Sequence, residues 1–409
     1  MSSSEVLIIG AGVAGMVLAQ GLKHRGIPFR LFERDESLSS KSQGYRFRLV
    51  HEGLEALERT LAPDVWELLE RTHPMDSPAD LLKVDAHTGE TVMALRAKGD
   101  TDRERRCYPI DRPWFRELLS LGLEKHIEFG KAFEKYAFID DGHVAVTFAD
   151  GSSATGRLLV AADGVHSGVA KMRFPELKHL DVERTTLWGR TPLTPEFERR
   201  FDRPDVLQNH FSFMFDPTNP ARTCLFAPIR WPGDISSLSG GKLSKTSDYM
   251  FFALNFETPT EDINRSPETR ALYSLEVSKH WQSNLRSLFE MQDVDTLYAV
   301  NIVSSKPDLP LWEADPRLTF VGDAIHTMSP SGGSGGLTTV QDVADLCDAL
   351  ADAKFGEGEL DRVKLKDCLQ LYEDKMRARA KTAIEWSFQG GKMVWAGQEW
   401  HEYSHVRSS

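Results

Sequence analysis

Apolar and polar positions follow two periods along this chain, and the changes of period mark its elements. Glu5-Val6-Leu7-Ile8-Ile9 is a short apolar run of the kind that forms a buried strand. Met16 to Arg25 places Val17, Leu18, Gly21 and Leu22 on one helical face, Gly26 stops that helix, and Ile27 to Phe32 returns to a strand pattern. Gly44 to Val50 alternates, with Tyr45, Phe47 and Leu49 on one side and Arg46 and Arg48 on the other. Glu52 to Arg71 reads as helical in two pieces, because Pro63 suits a first turn and not an interior. Leu82 to Leu95 reads as a strand pair turned at His87-Thr88-Gly89. Asp111-Arg112-Pro113 opens a helix over Trp114 to Lys125, with Asp111 as N-cap and Pro113 in the first turn.

A meander follows: Ala132 to Ile139, His143 to Phe148, then Ala154 to Ala162, whose last five residues are wholly apolar and so are expected to be buried on both faces. From about Phe174 aromatics dominate. Residues 185–193, 206–215, 222–230 and 249–257 read as strands, with Phe211, Phe213 and Phe215 at period two. Together they predict an antiparallel sheet with one apolar face, which would either wall a ligand cavity or simply form a core. Between them Trp231 to Asp248 reads as a long surface loop. Leu272 to Met291 reads as one amphipathic helix, Leu297 to Ser304 and Arg317 to Val321 as strands, and Leu337 to Ala351 as a helix. A final helix from Leu365 to about Phe388, packed through Trp386, is expected to fray into a polar tail.

Composition narrows the class without naming it. The chain has 409 residues, enough for two or more substructures, with 41% apolar and 27% charged residues. The net charge of −12 and the lack of a long basic block speak against nucleic acid. No run of about 18 apolar residues occurs and the first strand starts almost at once, so a soluble, cytoplasmic protein without a transmembrane segment is expected. Cys107, Cys224, Cys347 and Cys368 are too widely spaced for a redox pair or a metal cluster, so structural thiols and no metal site are expected.

The chemistry begins at the first strand. It feeds into Gly10-Ala11-Gly12-Val13-Ala14-Gly15, then a helix, a strand and Glu33. Gly10 permits a tight turn, Gly12 lets a diphosphate approach the backbone, and Gly15 lets helix and sheet pack closely. The helix start offers free N–H groups and a partial positive charge. Glu33 can accept from both hydroxyls of a ribose, each such charged bond contributing about 1.5–3 kcal/mol. A ribose 2′-phosphate would meet like charge there, which disfavours NADP and leaves NAD and FAD open.

Two further strand ends carry signals: Leu158-Leu159-Val160-Ala161-Ala162 ends in Asp163-Gly164-Val165-His166-Ser167, and Arg317 to Val321 ends in Gly322-Asp323 and a loop holding Pro330 and four glycines. In a doubly wound sheet ligands lie at the carboxyl ends of the strands. In this order and separation the three motifs resemble the FAD-dependent monooxygenases of the aromatic-hydroxylase (p-hydroxybenzoate hydroxylase-like, group A) family, in particular fungal secondary-metabolite tailoring members, over nearly the whole chain. The resemblance implies an α/β fold: a Rossmann-like, GR2-type FAD-binding domain (1–72, 100–175 and 301–355) interleaved with an antiparallel-sheet substrate domain (73–99 and 176–300), plus a C-terminal helical segment (356–409).

It further implies that Gly10, Gly12, Val13, Ala14 and Gly15 hold the ADP end of FAD, with Glu33 and Arg34 at the ribose. Gly44 and Arg46 would approach the flavin, as would Arg112, where Phe115 replaces the family's leucine. Asp163 belongs to a motif linking FAD and pyridine-nucleotide binding, Asp323 to the ribityl chain and diphosphate, and Gly333, Gly335, Gly336 and Leu337 to the flavin ring. Leu337 stands where the family has asparagine, so that contact would come from backbone N–H groups. Arg190 matches an arginine placed towards the substrate in fungal members; by pattern alone it reads equally as a surface arginine. Arg46 and Arg48 likewise read equally as a solvated strand face or as partners of a cofactor or anionic substrate. His326 reads as a loop-packing residue rather than a base.

The implied activity is insertion of one oxygen atom from O₂, through a C4a-hydroperoxyflavin, into an aromatic or electron-rich alkene small molecule by hydroxylation or epoxidation, with NAD(P)H as a transient co-substrate. Alternatives are a flavin-dependent oxidase or reductase of the same fold, and a non-catalytic NAD-binding protein, against which the Gly322-Asp323 loop argues.

Overall fold

The computed structural model describes residues 5–38, 46–75, 80–96, 106–139, 142–208, 211–357 and 360–406. Its first layer is a five-stranded parallel sheet in the order Leu318–Phe320, Leu158–Ala161, Val6–Ile9, Phe29–Phe32, Ile127–Glu128. The central strands are buried throughout, as their unbroken apolar runs require. The helices Val13–His24, Gly335–Asp352 and His51–Thr60 pack on one another beside it. A three-stranded meander (Phe133–Ile139, His143–Phe148, Ser153–Gly156) and a two-stranded pair (Arg46–Val50 with Cys107–Asp111) complete this half.

The second layer is a seven-stranded sheet in the order Tyr298–Ser304, Leu180–Pro192, Tyr249–Glu257, Asn219–Ile229, Phe211–Asp216, Asp80–Asp85, Thr91–Arg96. It is antiparallel except where Phe211–Asp216 runs parallel to Asp80–Asp85. One face carries Leu187, Phe226, Phe252, Leu254 and Phe256 into a core with Phe197, Phe201, Leu288 and Phe289. Full burial of each such side chain contributes about 1.5–3 kcal/mol. The opposite face turns towards the parallel sheet.

Several expectations change. Ala154 to Ala162 is two strands, because the chain leaves the meander at Gly156 and enters the parallel sheet at Leu158. Gly156 is pressed against the first strand, where an added Cβ would lie 2.6 Å from the Glu5 carbonyl oxygen. Leu272 to Met291 is two helices, Pro267–Val277 and Ser283–Glu290. Between them Trp281 turns inward, buried, and donates Nε1–H to Asp216 Oδ2 at 3.0 Å, and Gln282 caps the second helix. Residues 204–208 are helical and the next strand starts at Phe211. The helix at Arg112 ends at Ser120, before Lys125. The 231–248 loop contains a short helix, Ile235–Leu238. The last helix runs from Arg362 to Trp395, and the segment after it folds back, the Val406 N–H donating to the His179 carbonyl at 2.9 Å. Trp386 is exposed rather than packed.

Within that last helix, Glu373 is fully buried and accepts from Thr319 Oγ1 (2.8 Å) and Trp312 Nε1 (2.6 Å). Burial pushes its carboxyl from the ordinary 4.5 up to about 7. Between those values the folded chain holds a proton that the unfolded chain has released, so stability is full below about pH 4.5 and falls as pH rises through about 7. The gap corresponds to about 3 kcal/mol. Glu373→Gln is therefore expected to flatten the decline in urea-unfolding stability between about pH 5 and 8; an unchanged slope would remove Glu373 as its source.

Candidate functional site

The two sheets enclose a cavity of 1810 Å³. Four strand ends of the parallel sheet open into it, and it is lined there by Gly10, Gly12, Val13, Ala14, Glu33, Arg34, Asp163, Gly164 and Asp323. Gly10 turns at φ +100°, and a Cβ on it would lie 2.5 Å from the Ala162 carbonyl oxygen. A Cβ on Gly15 would lie 1.9 Å from the Gly10 oxygen, so Gly15 is the helix–strand contact beneath the cavity and not part of its lining. A Cβ on Gly12 would meet nothing within 4 Å, which leaves the backbone open to a ligand. Glu33 is buried, its Oε2 accepting from Ala11 N (2.7 Å) and Oε1 from Asp35 N (3.0 Å). These bonds hold the carboxylate in place and leave lone pairs for ribose hydroxyls. Arg116, buried beside it, braces the turn by donating Nε–H to the Ala11 carbonyl at 3.2 Å.

The second glycine loop lines the same cavity through Gly333, Gly335, Gly336 and Leu337. The helix Gly335–Asp352 starts there with no side-chain cap and no acid in its first turn, as does the helix Val13–His24. Both helix starts thus present uncapped N–H groups and positive potential to one space. Phe47 seats against Gly336, where a Cβ would lie 2.5 Å from the ring. Leu337 turns its side chain towards Gly53. Below the loop, fully buried His326 and Asp342 meet at 2.5 Å, and Asp342 also pairs with Arg379 at 2.6 Å. His326 does not line the cavity; it anchors the loop, and a role as base does not fit.

Asp323 lines the cavity with no side-chain hydrogen bond to its carboxylate among the described residues. Burial pushes that carboxyl up, against the opposing pull of His326 and Arg112. Arg112 also lines the cavity, and its Nε has no partner among the described residues. Asp163 is differently employed: Oδ1 accepts from Ser167 Oγ (2.6 Å) and Oδ2 from Gly168 N (2.8 Å), so it ties the start of the next helix while touching the cavity. Gly44 lies outside the described residues.

The facing wall comes from the seven-stranded sheet: Trp188, Phe211, Phe213, Leu225 and Phe251, with Asn255 and Thr186 further along. The period-two aromatics signalled this face, but pattern alone did not separate a cavity wall from a core. Arg46 and Arg48 both line the cavity, their guanidinium carbons 5.6 and 5.4 Å from the Phe211 ring centroid. Burial, then the neighbouring Arg48, lowers Arg46 to about 10. Among the described residues neither arginine meets a carboxylate. Lys83 adds a third cation to this wall. Trp386 and Met393, seven residues apart on the last helix, stand exposed at the rim; this pair escaped the sequence reading, although two apolar residues two turns apart on a polar face were its signal. Arg190 stands apart from the lining, its Nε 3.5 Å from Asp293 Oδ2 and its guanidinium 5.7 Å from the Tyr249 ring centroid.

The residues present fit FAD. Two uncapped helix starts, an open glycine turn, a ribose-type acid and a polar Asp323–Arg112 pair converge on one space, and its volume exceeds that of a usual small-ligand pocket (about 300–1,000 Å³). Among the described residues no group of three or more His, Cys, Asp or Glu could hold a metal, all four cysteines are free thiols, and no helix is long and apolar enough to cross a membrane.

Comparison with known proteins agrees with this reading. Residues 3–58 and 306–387 match the family model for an FAD binding domain. A dual O-methyltransferase/FAD-dependent monooxygenase of Phaeosphaeria nodorum is 31% identical over 97% of this chain and 46% of its own length. An FAD-dependent monooxygenase of Trichoderma harzianum is 26% identical over 99% of this chain and 94% of its own. The chain thus spans about half the length of the dual-function relatives. Among solved structures, 2,6-dihydroxypyridine-3-hydroxylase from Arthrobacter nicotinovorans shares the fold with a TM-score of 0.73 at 16% identity, over 100% of this chain and 98% of that one.

Proposed function

Since the chain belongs to the FAD-dependent monooxygenases of the aromatic-hydroxylase type, we propose that it uses NAD(P)H and O₂ to insert one oxygen atom into an aromatic or electron-rich alkene small molecule. One observation carries the reading: four cofactor-type strand ends and an aromatic sheet face enclose a single cavity. Gly10, Gly12, Val13, Ala14, Glu33 and Arg34 would hold the ADP end of FAD, Asp323 and Arg112 the middle, and Arg46 and the 333–337 backbone the ring. When bound, the flavin would supply the redox chemistry, passing electrons from NAD(P)H to O₂ so that one oxygen atom enters the substrate and the other leaves as water. The chain's own part is to orient and to exclude water. The uncapped helix start at Gly335 favours negative charge beside the ring, and the aromatic wall keeps the reacting end dry.

The substrate we propose is an aromatic compound bearing an anionic group. Arg48 and Lys83 stand half-buried on the aromatic wall without a carboxylate partner among the described residues, and cations drawn out of water in this way are costly until a ligand neutralises them. A phenolic compound also suits relatives named as dual O-methyltransferase/FAD-dependent monooxygenases. Turnover under ¹⁸O₂, run in parallel with NADH and with NADPH and followed by product mass, tests the proposal. One labelled oxygen atom in the product supports the proposal. NAD(P)H consumption with unlabelled product would point instead to an oxidase or reductase. Arg48→Ala is expected to raise KM for anionic substrates about 10–100-fold while sparing kcat and bound flavin, as loss of a charged hydrogen bond implies; equal KM values for wild type and variant would exclude this anchor.

A further inference from the structure

A buried hydrogen bond ties the two halves of the cavity together. Tyr249 opens the strand Tyr249–Glu257 of the aromatic sheet. Its hydroxyl donates to Asp111 Oδ2 at 2.6 Å. Asp111 ends the strand Cys107–Asp111 and caps the helix Arg112–Ser120, Oδ1 accepting from Trp114 N at 2.8 Å. Both residues are 4% exposed, and neither lines the cavity.

Capping alone does not call for this arrangement. A serine or threonine caps as well as an aspartate, and Ser167, Thr194 and Ser266 do so elsewhere in this chain. A buried carboxylate is the expensive choice, and burial pushes the Asp111 carboxyl up. What the second oxygen adds is a contact with the other sheet.

That contact sits where it controls two cavity cations. Arg112 follows Asp111 directly, and Arg46 is its register partner across the two-stranded pair. Both arginines line the cavity, and the Nε of each lacks a partner among the described residues. On the Tyr249 side, Phe251 lies two residues on, in the cavity wall, its ring centroid 5.9 Å from the Arg46 guanidinium carbon. Arg190 lies over the Tyr249 ring at 5.7 Å, which gives that residue a place in this junction rather than in the cavity lining.

We propose that the Tyr249–Asp111 hydrogen bond is a positioning device that sets Arg46 and Arg112 against the bound flavin and locks the substrate wall to the cofactor half. It rests on the FAD reading above. A fully satisfied buried pair of this kind rigidifies what it joins, and loss of the tie lets the two guanidinium groups drift from the anionic cofactor.

Two variants break the bond from opposite sides. Tyr249→Phe removes one oxygen atom. Asp111→Ser keeps a good cap but is too short to reach Tyr249. Each is purified, reconstituted with FAD and compared with wild type for FAD dissociation constant, visible flavin spectrum and unfolding midpoint of the flavin-free form. Each single variant is expected to weaken FAD about tenfold and shift the bound-flavin spectrum, and the double variant to be no worse than either, as for two ends of one interaction. Tyr249→Phe with wild-type affinity and spectrum would overturn the proposal. So would additive losses, or losses that follow the unfolding midpoint alone. Wild type that takes up no FAD would instead overturn the functional reading on which the proposal stands.

Discussion

Asp323→Ala is expected to fold normally and to purify without its flavin. The Asp323 carboxylate lines the cavity, receives no side-chain hydrogen bond among the described residues, and is set against Arg112. Burial already disfavours its charge, so its removal relieves the empty protein rather than harming it. The loaded protein loses a charged acceptor, which costs about 1.5–3 kcal/mol, or about 10–150-fold in affinity. Fluorescence titration of the flavin-free variant with FAD, beside a urea-unfolding curve, measures both halves of this statement. Wild-type affinity, or a matching loss of stability in the flavin-free form, would remove Asp323 from the cofactor site.

Gly15→Ala is expected to damage fold and cofactor site together. Its added Cβ would lie 1.9 Å from the Gly10 carbonyl oxygen, and backbone cannot yield there as a flexible side chain would. The helix Val13–His24 must move off the first strand, at about 3 kcal/mol, the upper end of ordinary overpacking. The same movement carries the uncapped helix start away from the diphosphate position. Urea unfolding of the flavin-free variant reads the first effect and FAD titration the second. A loss below about 1 kcal/mol would show that the contact is softer than packing at this density implies. Set side by side, the two variants separate a residue proposed to hold the cofactor from one that holds the turn beneath it.

Much of the cofactor half was legible because its signals are local. A glycine turn needs particular residues at particular spacings, and an apolar run of four or five residues followed by such a turn admits few readings. Glu33, Asp163 and Asp323 were singled out this way, and each stands at the end of a strand of the parallel sheet, facing the cavity. The aromatic wall was less legible. Phe211, Phe213 and Phe251 sit on strands that alternate in the same manner as the run Phe252, Leu254, Phe256, yet one set lines the cavity and the other fills a core. Period two reports that a strand has two faces and not what lies opposite each. The break in the 272–291 helix was hidden for a related reason, since Trp281 turns inward to reach Asp216, a partner 65 residues away.

By itself, then, the sequence determined the parallel-sheet frame, the turns at its strand ends and the kind of ligand they can take, because backbone conformation and strand burial depend on near neighbours. Only the tertiary structure decided which residues meet across the cavity. It left Arg190 beside Tyr249 and Asp293, brought Arg48 and Arg46 onto the aromatic wall, and joined Asp111 to Tyr249 across 138 positions of chain. Such pairings depend on how two sheets pack face to face, and no spacing along one chain encodes that distance.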